Sequence, residues 1–285
     1  MQKIWVCGAR GQIGQAVNDV VDKLEFEMLD TDVDDLDVTD TDEVLRFGEM
    51  NRPDIIINCS GMTDISSCEE NPSQAFKVNA LGARNLAIVA AKMQAKMVQL
   101  STDDVFDGKS TEPYTEFDIT NPGTVYGKSK LAGENYVKEF TTKHFIVRST
   151  WVYGKGQNFI NGFLKKVDAG EQLSIASDQF GSPTSANELA RFLLHLVHTS
   201  EHVTCHATNK GVCSRYAFAQ EILKMTGKTA SMQPVPTVMS DFSKVRPAYA
   251  VLDNFIMSMV PIYDFPDWQD SLREYLEERG LYHAE

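Results

Sequence analysis

The chain has 285 residues, 42% of them hydrophobic, which is enough to bury one large core or two coupled ones. A net charge of −13 argues against nucleic acid or an anionic membrane surface as the main partner and reads first as a soluble surface. No apolar run approaches the ~20 residues of a membrane-spanning helix. Five cysteines, odd in number and without a Cys-x-x-Cys, predict reduced thiols in a cytoplasmic protein.

Lys3-Ile4-Trp5-Val6-Cys7 opens the chain as a strand, without the apolar stretch and cleavage site of a signal peptide. The pattern predicts a helix over 15–24, a strand over 26–29, and a buried strand at Ile55-Ile56-Ile57 after Pro53-Asp54. A long helix over 73–94 follows, then a strand over 96–100, a helix over 125–140 and a strand over 145–148. Strands rich in Ile and Val that alternate with helices predict an α/β, Rossmann-like doubly wound parallel sheet. Beyond Trp151 the alternation loosens into helices over 159–169, 186–198 and 216–226, with a short strand over 203–207. Composition therefore divides the chain into a dinucleotide-binding domain, 1–150, and a smaller, mainly substrate-binding domain, 151–285, partly interleaved with the first.

The first strand runs straight into Gly8-Ala9-Arg10-Gly11-Gln12-Ile13-Gly14. Glycines in a strand–turn–helix setting let backbone N–H groups approach a pyrophosphate at the positive end of the helix. The spacing is Gly-x-x-Gly-x-x-Gly, not the strict dinucleotide fingerprint. Asp30, ending the second strand, stands where an acidic residue binds an adenosine ribose, which favours NAD over NADP. Arg10 could instead reach a 2′-phosphate, so the residues leave the choice between NAD(H) and NADP(H) open.

The acidic run from Asp30 to Asp37 does not fit a calcium loop. Such a loop needs glycine at its sixth position and glutamate at its twelfth, where Asp35 and Thr41 stand. His195, His198, His202 and His206 with Cys205 form no tight ligand spacing, and no metal site is expected.

Ser101-Thr102-Asp103 follows the strand over 96–100, at the carboxyl end that faces the crevice of such sheets. A hydroxyl there either caps a turn or donates to a substrate carbonyl. Tyr126 and Lys130, four residues apart on one helix, point from the same face. A neighbouring ammonium favours the tyrosinate, which makes Tyr126 a candidate proton donor with Lys130 as its tuning cation.

In this order, the glycine turn, the Ser-Thr shelf and the Tyr-x-x-x-Lys pair resemble the extended short-chain dehydrogenase/reductase superfamily. The chain is similar within it to the dTDP-4-dehydrorhamnose reductase family, through Asn58, Val105-Phe106-Asp107-Gly108 and Tyr126 to Glu134. The likeness continues through Arg148-Ser149-Thr150-Trp151-Val152-Tyr153, Asp178 to Thr184, Arg246-Pro247 and Pro266-Asp267-Trp268. The resemblance implies NAD(P)H-dependent reduction of the C4 ketone of a nucleotide-activated deoxyhexose, in the synthesis of a cell-surface polysaccharide precursor. It implies that Tyr126 protonates the nascent alkoxide and that Lys130 holds the nicotinamide ribose. Thr102 and Asp103 would meet the sugar and Trp151 would pack on it. Gly61, Met62 and Thr63 would line the nicotinamide side, and Asp37 and Val38 would flank the adenine.

Arg246, beside a proline, has the fork geometry that suits a diphosphate, and on residue chemistry alone a structural salt bridge is an equal reading. The chain departs from the family pattern at Asp104, where a tyrosine is usual, at Ser66 and at Ala250. Other members of the superfamily with the same Tyr-Lys pair are nucleotide-sugar epimerases and dehydratases, and some relatives of the family are regulatory subunits without turnover. A homodimer is the default assembly for an enzyme of this class.

Overall fold

The computed structural model describes residues 1–200, 202–239, 247–260 and 263–283. Five strands, β1 (Gln2–Cys7), β2 (Phe26–Thr31), β3 (Ile55–Asn58), β4 (Lys96–Thr102) and β5 (His144–Ser149), pair in parallel in the order β2-β1-β3-β4-β5. A sixth, Thr204–His206, joins the free edge of β5. The order reverses between β2-β1 and β3, and the crevice at such a switch point is where open α/β sheets bind ligands.

The alternation of β1 shows why both faces are covered. Ile4 and Val6 point to one side, against Val17 of helix Gln12–Val20 and Leu189 and Leu193 of helix Ala186–Leu196. Trp5 points to the other, where Val44, Leu86 and Val137 come from helices Thr41–Asn51, Ala83–Met93 and Val125–Phe140. A separate apolar cluster, including Phe163, Leu173, Phe218, Trp268 and Leu272, gathers side chains from beyond residue 151. The second half thus has packing of its own while lending a helix and an edge strand to the large sheet.

Several element boundaries differ from the sequence reading: β4 takes in Ser101 and Thr102, the helix read as 186–198 ends at Leu196, and three further differences have a visible cause. The first helix spans Gln12–Val20 instead of reaching residue 24, because Asp22 takes over the chain. Its side chain accepts from Leu24 N–H at 2.8 Å and its carbonyl from Phe26 N–H at 3.0 Å, a local turn that competes with the helix. β2 runs two residues further, to Thr31, because its ladder with β1 continues to the Cys7–Thr31 pair. The single helix over 73–94 is three pieces, Pro72–Phe76, a π-helical turn Lys77–Gly82 and Ala83–Met93. π turns leave side chains out of helical phase and recur at functional sites; here the turn carries Asn79.

Candidate active site

The turn after β1 is built for close approach. Gly8 has φ +77°, and a Cβ there would meet Ser60 N at 2.7 Å. A Cβ on Gly14 would meet Gly8 O at 2.3 Å, so glycine lets the helix seat directly on the turn. Gly8 and Ala9 N–H both donate to Thr31 O, at 2.9 and 3.1 Å, which ties the turn to the end of β2. Gly11 begins the helix without a side-chain cap, leaving first-turn N–H groups for a bound anion.

The loop after β3 closes the crevice. Asn58 donates to Gln99 Oε1 at 2.8 Å and accepts from Ser60 Oγ at 2.6 Å. Asn79, brought in by the π turn, accepts from Met62 N–H at 2.8 Å and donates to Met62 O at 3.0 Å. It also donates to Ser129 Oγ at 2.9 Å, which in turn donates to Tyr126 O at 2.8 Å. A hydrogen-bonded chain therefore links the loop over 61–63 to the helix that carries Tyr126.

That helix starts at a Thr124 cap, whose Oγ1 accepts from Gly127 N–H at 3.0 Å. A Cβ on Gly127 would lie 2.0 Å from Asp104 O, so only glycine lets the helix start rest on the turn Asp103–Val105. This contact sets Tyr126 beside Thr102. Thr102 caps the turn, its Oγ1 accepting from Asp104 N–H at 3.2 Å, and it lines the larger cavity. In the free protein its hydroxyl donates to Asp103 Oδ1 at 3.0 Å.

Lys130 is buried and donates to Leu100 O at 2.6 Å. Burial lowers its pKa to about 8, against the opposing pull of Glu134 and Cys59. Glu134, one helical turn on, is fully buried and forms a two-pronged pair with Arg148 of β5, at 2.9 and 2.8 Å. Ser101 donates to the same carboxylate at 2.5 Å. A desolvated charge of this kind persists only when paired and hydrogen-bonded.

Two cavities, of about 780 Å³ and 410 Å³, share Gly11, Cys59, Ser60 and Gly61 in their walls. The larger is lined by Arg10, Gln12, Ile13, Thr63, Thr102, Asp103, Tyr126, Lys130 and Trp151, and the smaller by Gly8, Asp37, Val38 and Met62. Gly14 lies beneath the turn, and Asp30 is exposed on β2 and lines neither. Arg246 lies outside the described residues.

Several lining residues had no sequence signal of their own. Asp32 borders the smaller cavity. Lys155, Phe159 and Arg215 border the larger, and the Arg215 guanidinium stands 3.4 Å from the centre of the Trp151 ring. Trp151 itself has φ +46°, a conformation rare for an aromatic residue, and its ring lies against Gly181. Ser149 Oγ, 4% exposed, lines the cavity without a hydrogen bond to any of the described residues. Only the Arg-Ser-Thr-Trp motif pointed to it.

A dinucleotide crevice at the switch point, continuous with a Thr-Tyr-Lys wall, defines an extended short-chain dehydrogenase/reductase. The profile of the RmlD substrate binding domain matches residues 1–280. The dTDP-4-dehydrorhamnose reductase of Mycolicibacterium smegmatis is 32% identical over 96% of this chain and 84% of its own. The spore coat polysaccharide biosynthesis protein SpsK of Bacillus subtilis is 34% identical over 98% of this chain and 99% of its own. Among solved structures, the dTDP-4-dehydrorhamnose reductase of Clostridium acetobutylicum superposes with a TM-score of 0.95 at 39% identity, covering 98% of this chain and 100% of its own. That of Bacillus anthracis, in complex with NADP, gives 0.94 at 34% identity, covering 98% and 99%. The chain belongs to the dTDP-4-dehydrorhamnose reductase family, whose members are NAD(P)-dependent oxidoreductases.

Proposed function

We propose that the protein reduces the C4 ketone of dTDP-4-dehydrorhamnose, or of a closely similar nucleotide-activated deoxyhexose, in the synthesis of dTDP-L-rhamnose. The observation that carries this reading is the placement of Thr102, Tyr126 and Lys130 on one cavity wall that also includes the glycine turn. The cradle fits a dinucleotide, since helix Gln12–Val20 starts at Gly11, on the wall of both cavities, with no side-chain cap over its first-turn N–H groups. NAD(P)H, when bound, supplies the hydride for C4.

The chain's own groups do the rest. Tyr126 gives its phenolic proton to the C4 oxygen as negative charge develops there. Lys130, held against Leu100 O, keeps a positive charge beneath the phenol and the nicotinamide ribose. Thr102 turns its hydroxyl from Asp103 to the sugar oxygen, leaving Asp103 as a further sugar contact. Trp151, on the cavity wall between Arg215 and Gly181, would border the sugar, and Ser149 Oγ offers an unfilled hydrogen-bonding position. Gly8, Gly11, Gln12 and Ile13 receive the pyrophosphate, and Gly61, Met62 and Thr63 the nicotinamide side. Asp37 and Val38 border the adenosine end. Arg215, against Trp151 on the wall of the larger cavity, supplies positive charge for the sugar-bound diphosphate. Residues 1–150 thus serve the cofactor and residues 151–285 mainly the sugar nucleotide. A cytoplasmic location accords with five unpaired cysteines, and a homodimer with the general tendency of such enzymes.

The test is to incubate the protein with dTDP-4-dehydrorhamnose and follow NADPH and NADH absorbance, with Tyr126→Phe as control. Absence of oxidation with either cofactor would sink the substrate assignment. Undiminished turnover by Tyr126→Phe would sink the mechanism. An epimer or a dehydrated product without net cofactor consumption would point to the epimerase or dehydratase chemistry of the wider superfamily.

A further inference from the structure

We infer that this chain selects NADH over NADPH, and that Asp32, two residues beyond Asp30, makes the choice while Asp34 and Asp35 withhold Arg10 from the 2′-position. The inference rests on the reading of the smaller cavity as the adenosine end of the cofactor site. β2 remains in register with β1 up to Thr31, so Asp30 is still inside the sheet opposite Val6. Asp32 is the first residue to leave it, and it lines the smaller cavity.

The Asp32 carboxylate is fixed in place. Oδ2 accepts from Arg10 N–H at 2.8 Å and Oδ1 from Val33 N–H at 2.9 Å. The glycine turn and the end of β2 therefore share one anchor, and a ribose bound over the turn meets a negative charge there. A carboxylate accepts well from a pair of ribose hydroxyls. A 2′-phosphate in the same position brings close to two negative charges against it.

NADPH sites answer that charge with an arginine or lysine, and Arg10 is the residue placed to do so. Its NH1 pairs with Asp34 and its NH2 with Asp35, each at 2.6 Å. Asp35 also accepts from Asp32 N–H at 3.1 Å, so the three carboxylates and the guanidinium form one knot. The described residues that line the smaller cavity include Asp32 and Asp37 but no lysine, arginine or histidine. Exposed ion pairs are individually weak, and Arg10 is exposed. The pairs with Asp34 and Asp35 alone would not keep Arg10 from a phosphate. Swinging it out, however, would strip Asp34 and Asp35 of their partner next to the incoming phosphate, so the like charges accumulate at the cofactor's edge. Across a few ångströms near a protein surface, such repulsion corresponds to a preference of roughly tenfold or more.

The test is calorimetric titration of the full-length protein with ADP-ribose and with 2′-phospho-ADP-ribose at low and moderate salt. Neither ligand has the reactive ring, so the readout is independent of turnover. ADP-ribose is expected to bind about tenfold or more tightly than its 2′-phosphate. Asp32→Asn, which keeps the hydrogen-bonding shape and removes the charge, should shrink that ratio to a few-fold. Asp34→Asn with Asp35→Asn should raise affinity for the 2′-phosphate by releasing Arg10, while Asp30→Asn keeps the wild-type ratio. Equal binding of both ligands by the wild type, or a ratio that shifts with Asp30→Asn and not with Asp32→Asn, would overturn the inference. Binding of neither ligand would overturn the reading of the cavity itself, and the selectivity with it.

Discussion

Lys130 is the residue whose environment says most about the chemistry. Burial brings its pKa down to about 8, and the charged form is the one below that pH. Activity that depends on the ammonium is therefore full below about pH 8 and declines as pH rises through it. An alkaline limb near that value is expected in kcat/KM for ketone reduction, and Lys130→Met should remove activity across the range. Tyr126→Phe should lower kcat/KM by about 10²- to 10⁴-fold, the usual worth of a positioned proton donor, with little change in cofactor affinity measured by fluorescence titration. At this scale part of the arrangement was legible in the sequence: Tyr126 and Lys130 lie four residues apart on one helix, and Thr102 stands at the end of a strand with a clear apolar pattern. Glu134 and Arg148 were not. One sits on a helix and the other on a strand, and nothing local states that they meet in the interior.

The elements work through close backbone approach. The start of helix Val125–Phe140 rests on the Asp103–Val105 turn because Gly127 has no side chain, and this seats Tyr126 beside Thr102. Gly127→Ala should push the two apart and lower kcat/KM by about 10²-fold, as ångström displacements of reacting groups do, while the far-ultraviolet circular dichroism stays that of the wild type. Glu134→Leu acts on the same helix differently. It leaves Arg148 charged and buried without its partner, and should reduce stability by about 3–5 kcal/mol in urea unfolding. The π turn Lys77–Gly82 is the element that reading by periodicity missed. Apolar spacing over 73–94 is continuous with a helix, and the extra residue per turn that swings Asn79 onto Met62 and Ser129 leaves no pattern in the sequence. The helix Thr41–Asn51 was also missed by the sequence reading, although Asp40 three residues before Glu43 is a signal for its start. The Asp40 side chain accepts from Glu43 N–H at 2.9 Å.

The whole molecule is held together where its second half returns to the first. Thr204–His206 extends the large sheet beside β5, and His206 is buried there with its Nδ1 donating to Asp253 O at 3.0 Å. Burial, with Arg148 nearby, lowers its pKa to about 3 from an ordinary 6.5. The unfolded chain therefore takes up this proton first as pH falls, and the folded state loses stability between about 6.5 and about 3. Urea midpoints should fall through that window, and His206→Asn should flatten the part of the curve nearest pH 6. The groups facing His206 include Glu116, which accepts from its backbone N–H at 2.9 Å, and Phe106, whose ring meets the imidazole edge-on.

The parallel sheet, its phosphate-receiving turn and the Tyr-Lys pair follow from the sequence alone, because each is written in spacings of a few residues. What only tertiary structure decided are the meetings across long separations. It decided that Asp32 and not Asp30 borders the smaller cavity, that Arg10 is held by Asp34 and Asp35, and that Arg215 stacks on Trp151. The physical reason is that periodicity states which face a residue takes within its own element. How far a ladder runs, and which side chains then come within a few ångströms, is determined by the packing of the elements together.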